Sequence, residues 1–383
     1  VEAVIRFTEC RSLLGGTTTS QGITLIGVGT KDFFPGLVRN VEAPQLADVK
    51  PAKTRIDNPP NKEEDKPGYL EAQKDTDCYL HHLSEGIDDT ARGWFLRLKK
   101  DDNSWYIHDS LCGIHSTALR REDFEVLQGH GASMVWSPLS NYLLYGKTVD
   151  MQAVADSGIR VGLGSDWGPS GSKSLLGELK VAWLANQDAG NPFTAERLVQ
   201  MATIDAARIV HWDASLGSIE PGKRADIIAI NGKSGDPFMQ LIEARETGIT
   251  LVAIDGIPRV GQPGLMERFD LTDPEPLTVG DSERILHLAQ DNTHELVQGL
   301  TLAEATSRLS NALESLPALA DTIDNALLSG AVPGAPGSPL SAFQIDLELE
   351  DEPLETFEGS LAEAVSSMKL EPRAERSGMS RRL

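Results

Sequence analysis

Cysteine is scarce in this chain of 383 residues: Cys10, Cys78 and Cys112 are the only three, an odd number without the paired spacing of a metal knuckle. That argues against a disulfide framework and for a reducing compartment, so a cytoplasmic location is expected. Cys78 and Cys112 are expected to pack as small hydrophobes. Long apolar runs are missing too. No stretch approaches the roughly 20 residues of a membrane span, and the opening VEAVIRFTEC lacks the charged-then-apolar order of a secretory signal. Basic residues are outnumbered, 35 against 57 acidic, and the formal charge of −22 repels nucleic acid and anionic membrane surfaces alike. What remains is a soluble chain, 40% hydrophobic, long enough for a large core and more than one domain.

From residue 78 onward β-prone and helical segments alternate. Strands are expected at 78–84, 110–115, 132–137 and 159–165, and helices near 88–98, 120–130, 148–157 and 174–187. Such alternation implies an α/β fold with a parallel sheet and right-handed crossovers. Before it come a helix ending at Leu14, a β-prone stretch over 16–29, a strand around 37–41, and a Pro-, Lys- and Glu-rich segment, 49–77, expected as an exposed loop. After it, 194–212 reads as a helix, and LGSIEPGKRADIIAI and ITLVAIDGIPRVG supply strands of a small β domain. Beyond about residue 265 the chain turns acidic, with a helical pattern over 281–328, a Gly/Pro/Ala linker (SGAVPGAPGSP) and a candidate strand FQIDLELE. Ile285, Leu288, Leu296, Leu300 and Leu302 give the helical pattern an apolar side for a partner or for the chain itself.

Three strand ends carry chemistry. CYLHHLSEG holds His82 and Glu85, LCGIHSTAL holds His115, and IRVGLGSDWG holds Asp166, each at or just past the C-terminal edge of its β-prone run. That edge is where the catalytic groups of a (β/α) barrel sit. Asp166 shares a strand face with Gly164 and Gly162, which is expected to leave room inside a barrel for a metal and a substrate. Each residue alone has an ordinary alternative: a core histidine, a glutamate in a first helical turn, an aspartate at an N-cap. Together they outweigh those alternatives. SPLSN places Ser140 and Asn141 either at the mouth of the site or at a helix start, and Trp167 and Tyr142 either stack on a ring or pack. His81 points to the opposite face from His82, and the remaining histidines are expected to be structural or exposed.

HLSE at 82–85, IHSTAL at 114–119, SPLSN at 137–141, LGSD at 163–166 and LGSIEPGKRADIIAI occur in one order, and in that order they resemble the amidohydrolase superfamily, in particular its cytosine deaminase and chlorohydrolase-like branch. The resemblance implies a (β/α)8 barrel over 1–212, the C-terminal part of a small β-sandwich over 213–265, and an acidic, mainly helical extension over 266–383. It implies one divalent metal, zinc or iron, held by His82, His115 and Asp166. Glu85 would shuttle protons, His115 would polarise the oxygen or orient the water, and Asp166 would accept the water's proton. The implied reaction is hydrolysis of a carbon–nitrogen bond, through metal-activated water, with an aminated heterocycle deaminated; a homo-oligomer is also implied. The family's His-x-His pair on the first barrel strand has no counterpart here. The expectation is therefore a barrel incomplete at its N-terminal side, with three explanations open: a fragment, a second chain supplying the missing strand, or a site that has degenerated into a scaffold or regulatory subunit.

Overall fold

The computed structural model describes residues 1–22, 37–232, 234–290 and 294–328, with side chains up to residue 318. They divide into two compact units: one holds 1–54, 214–232 and the part from 244 onward, the other 55–213 and 234–243. Residues 1–54, expected with the barrel, thus fall in the unit that carries the antiparallel sheet.

The chain opens with helix α1 (Glu2–Leu14), which buries Ile5, Phe7, Cys10 and Leu13. Two-residue strands β1 (Thr19–Ser20) and β2 (Arg39–Asn40) pair in parallel, and β3 (Lys53–Arg55) follows. The β-prone residues 23–29 lie outside the described residues.

The second unit starts with α2 (Lys66–Lys74), inside the segment expected to be a loop. Pro67 suits the first helical turn, and Tyr69 and Gln73, one turn apart, are both buried, so a single buried face outweighs the polar composition. Then the expected alternation appears. Strand β4 (Tyr79–Leu83), helix α3 (Asp89–Leu96), β5 (Leu111–His115), α4 (Arg121–Gly129), β6 (Ser133–Trp136), α5 (Pro138–Tyr145), α6 (Met151–Ser157), β7 (Arg160–Leu163) and α7 (Leu175–Asp188) succeed one another. Strands β4, β5, β6 and β7 are hydrogen-bonded neighbours in that order, all parallel. Helix starts are set by short polar side chains: Asp88 accepts from Ala91 N, Asp150 from Ala153 N and Thr194 from Arg197 N, each cap contributing about 1 kcal/mol. The expected helix 194–212 is two helices, α8 (Ala195–Met201) and α9 (Ile204–Ile209). The core joins Phe95, Leu111, Phe124, Leu127, Met134, Trp136 and Leu198, and each large apolar side chain fully buried there contributes roughly 1.5–3 kcal/mol. The sheet is open among the described residues, so the closed eight-stranded barrel is not what they display.

The remaining elements are β8 (Ile227–Ile230), α10 (Pro237–Glu243), β9 (Ile249–Ile254), β10 (Ile257–Gly261), α11 (Pro263–Met266), β11 (Glu275–Val279), β12 (Ser282–Leu286) and α12 (Leu302–Leu328). Helix α10 belongs to the second unit; the rest lie in the first. The strands form one antiparallel sheet in the order β11-β12-β10-β9-β8. Two of its turns are two-residue hairpins. Asp255 and Gly256, at φ 57° and 75°, join β9 to β10, and Gly280 (φ 61°) with Asp281 joins β11 to β12. The helical pattern expected from 281 therefore holds only from 302, because Glu275–Leu286 is a hairpin whose Gly-Asp turn sits between alternating residues. Arg39 and Asp226, both nearly buried, form a bidentate ion pair at 2.6 and 2.9 Å in the same unit. The linker and FQIDLELE lie outside the described residues. No described helix is long and apolar enough to cross a membrane, and the three cysteines are buried without a disulfide.

Candidate active site

Parallel pairing sets the starting positions. Register places His82 beside Ile114 and Leu83 beside His115, so strict alternation would put the two histidines on opposite faces of the sheet. The backbone at His115 breaks that alternation: its φ is 65°, and Ser116 follows at 53°. The turn brings the imidazoles together, with ring centroids 5.3 Å apart. Ser84 (φ 51°), just before Glu85, and Asp166 (φ 60°) are also left-handed, so each of the three site-bearing strand ends carries a strained residue other than glycine. Such residues cost of order 1–3 kcal/mol each and persist where the surroundings impose them, commonly at functional sites.

The result is a cluster. One ligand atom each from His82, Glu85 and His115 lies within 4.8 Å of the others. His115 Nε2 is 3.8 Å from Glu85 Oε1 and 3.9 Å from Asp166 Oδ2. His115 is buried, while the Glu85 and Asp166 side chains are 27% and 20% exposed, so the carboxylates are open to a small molecule. Burial pushes the His115 pKa down, with the two carboxylates pulling the other way, which keeps the ring suited to act as a neutral donor.

The bonds around the imidazoles aim them. Trp136 Nε1, which can only donate, bonds Thr148 Oγ1 at 2.7 Å, and Asn141 Nδ2 donates to the same oxygen at 3.0 Å. Asn141 Oδ1 faces His115 Nδ1 at 3.1 Å, and an amide oxygen only accepts, so the ring proton sits on Nδ1 and Nε2 is bare toward the carboxylates. His82 Nδ1 sits 3.3 Å from the Arg55 carbonyl oxygen. One nitrogen tied to an oxygen and the other free is the arrangement of a metal-ligating histidine.

The other expected site residues fall out as follows. Ser140 and Asn141 are fully buried, and Asn141 serves His115 instead of opening onto a mouth. Ser140 Oγ lies 3.5 Å from Ser170 Oγ, which is itself 3.5 Å from Asp166 Oδ2. Trp167 is 67% exposed beside Asp166, and its backbone N–H donates to Asp166 Oδ1 at 2.8 Å. Tyr142 is a core residue. His81 faces away from the cluster, against the Tyr69 hydroxyl and the Asp57 carbonyl, and burial pushes its pKa down to about 4. The room expected from two glycines is filled by protein: a Cβ on Gly162 would lie 3.0 Å from Ile209 Cδ1 of α9, and one on Gly164 would lie 2.9 Å from Val135 Cγ1.

Residues 104–259 match the model of the amidohydrolase family. Over that segment the chain is similar to the amidohydrolase family. The match takes in His115, Asn141, Asp166 and Trp167, while His82 and Glu85 precede it. Among curated relatives, a 5-methylthioadenosine/S-adenosylhomocysteine deaminase of Teredinibacter turnerae is 35% identical over 158 residues, covering 40% of this chain and 36% of the relative. An S-triazine hydrolase of Gordonia rubripertincta is 29% identical over 167 residues, 41% of this chain and 34% of that protein. The chain thus spans little more than a third of the length of these relatives. Among solved structures, zinc-complexed atrazine chlorohydrolase of Arthrobacter aurescens TC1 superposes with a TM-score of 0.54 at 19% identity, covering 67% of this chain and 71% of that one, a likeness of fold.

Three residues around the cluster are not marked by any motif of the sequence: Thr148, Tyr145 and Glu178. Tyr145 hydroxyl donates to Glu85 Oε1 at 2.8 Å, and its own pKa is pushed up by burial first and by that carboxylate second. The available signal was helical spacing, since Tyr145 stands four residues after Asn141 and so shares its face. Glu178 is fully buried on α7 and accepts from Leu139 N in the first turn of α5 at 2.9 Å. Burial pushes its carboxyl up to about 7. The protonated form therefore contributes stability that is complete below the ordinary value of 4.5 and is lost as pH rises through about 7. Glu178→Gln, which keeps the acceptor, is expected to gain stability over the wild type between pH 5 and pH 8. Urea midpoints across that range check it, and a constant offset would contradict it.

Proposed function

We propose that this chain is a metal-dependent hydrolase of carbon–nitrogen bonds whose substrate is an aminated heterocycle that leaves with its amine replaced by oxygen. The observation that carries the reading is the convergence of His82, Glu85 and His115 within 4.8 Å, with Asp166 Oδ2 3.9 Å from His115 Nε2. The family match and the deaminase and hydrolase names of its relatives support it.

The donor set fits a divalent cation. Two imidazoles with a bare nitrogen and two part-exposed carboxylates suit a borderline metal, zinc or ferrous iron, with His82, His115 and Asp166 as the residues that would hold it. When bound, such a cation brings the pKa of a water ligand toward neutrality and stabilises negative charge. The protein supplies the rest. Asp166 accepts a proton from the attacking water. Glu85 carries a proton to the ring nitrogen or to the departing amine, so water adds at the ring carbon, the carbon–nitrogen bond breaks and ammonia leaves. Asn141 holds the His115 tautomer, and Ser140 and Ser170 back Asp166.

Trp167 supplies a surface for the ring. An indole 67% exposed beside a catalytic carboxylate contributes little to packing and offers a face on which a planar heterocycle stacks, an interaction of about 1–3 kcal/mol per base. Trp167→Ala is expected to raise KM roughly tenfold or more with kcat within about twofold; steady-state kinetics check it, and an unchanged KM would remove Trp167 from the substrate site.

The test of the reading is ammonia release from 5-methylthioadenosine, 5′-deoxyadenosine and an amino-s-triazine, with zinc added. Release from any of these that Asp166→Asn abolishes supports the proposal. Release that Asp166→Asn leaves intact overturns it.

A further inference from the structure

We propose that Tyr145 is a positioning residue for Glu85: its hydroxyl fixes one carboxylate oxygen and so selects the other as the one that carries the proton. This rests on the reading of Glu85 as the proton carrier.

Glu85 lies beyond the end of β4, its side chain 27% exposed, and a glutamate on such a loop has no reason of its own to present one oxygen over the other. Tyr145 removes that freedom. Its O–H donates to Oε1 at 2.8 Å, while no hydrogen bond from the described residues reaches Oε2. With Oε1 occupied by the phenol hydrogen, Oε2 is the oxygen left to take up and pass on a proton. When Glu85 passes the proton on, the Tyr145 bond stays in place and the same oxygen is ready again.

The position of Tyr145 is itself fixed. It is the last residue of α5, and Gly146 follows at φ 69°, a left-handed cap whose N–H bonds Tyr142 O at 2.9 Å. At the other end of the helix the buried Glu178 takes the Leu139 N–H. Between these ends Asn141, one turn before Tyr145, holds His115. One short helix therefore sets both the tautomer of a ligand candidate and the orientation of the proton carrier, through two residues on one face.

A double-mutant cycle on the full chain with added zinc tests this, using whichever of the three probes above is turned over. Tyr145→Phe keeps the ring and its packing. It is expected to lower kcat by about 10–100-fold, the usual effect of losing an orienting partner, with KM within about twofold. In a Glu85→Gln background the same change is expected to cost less than twofold, because the group it serves is already gone. Zinc affinity, read by competition with a chromophoric chelator, is expected to stay within about twofold in Tyr145→Phe. Equal loss of kcat in both backgrounds, an unchanged kcat in Tyr145→Phe, or a fall in zinc affinity matching that of His82→Ala would each overturn the inference. A Glu85→Gln variant with wild-type turnover would instead remove the proton-carrier reading on which it rests.

Discussion

His115→Ala is expected to lower the affinity of the chain for zinc by more than about a hundredfold while leaving the fold intact. The size follows from geometry: His115 Nε2 faces both carboxylates, at 3.8 Å from Glu85 Oε1 and 3.9 Å from Asp166 Oδ2. Loss of an outer partner of a metal ligand typically costs 10–100-fold, and loss of the ligand itself costs more. Asn141→Ala provides the graded comparison. It leaves the imidazole present but without the acceptor on Nδ1, and a loss within the 10–100-fold range is the expected result. Titration against a competing chelator measures both. If His115→Ala bound zinc as the wild type does, the cluster of His82, Glu85 and His115 would not be a metal site.

Glu85→Gln is expected to lower turnover by about 10²–10⁴-fold, the contribution of a positioned general acid or base. Glutamine keeps the shape and can still take the Tyr145 hydrogen bond on its amide oxygen, so fold and substrate binding are retained and the loss appears in kcat. Stopped assays with the substrate that gives ammonia measure it. Turnover within twofold of the wild type would leave Glu85 as no more than an acidic residue ahead of α3.

Much of the fold was legible because the alternation from 78 to 187 obeys both periods: two residues in the strands, which places His81 against Tyr69 and on the face opposite His82, and 3.6 in the helices. Where composition spoke against periodicity, it misled. The segment around KPGYLEAQK is polar enough to pass for a loop, yet Tyr69 and Gln73 on one face bury it as a helix. The Gly280-Asp281 turn was hidden inside an acidic stretch that also fits a helical pattern, and only the pairing of Glu275–Val279 with Ser282–Leu286 decides between the two.

The site was legible as a set of strand ends and illegible as a geometry. Alternation alone sets His115 on the wrong face; the left-handed turn at His115 and Ser116 corrects it, and no residue there is a glycine to signal the turn. Asp166 also stands in a left-handed conformation, past the end of β7, and the space expected at Gly162 and Gly164 goes to Ile209 and Val135. Asn141 was placed near the site from its motif, but its task became visible only in the bonds it makes, with Nδ2 on Thr148 Oγ1 and Oδ1 on His115 Nδ1.

The measurement closest to the central claim is an anomalous difference map, at the zinc absorption edge, from crystals of the full chain grown with zinc. The account predicts a peak within bonding distance, about 2.0–2.2 Å, of a His82 nitrogen, His115 Nε2 and an Asp166 oxygen. Crystals whose peaks all lie elsewhere, with His82, His115 and Asp166 bound to nothing but water, would contradict it.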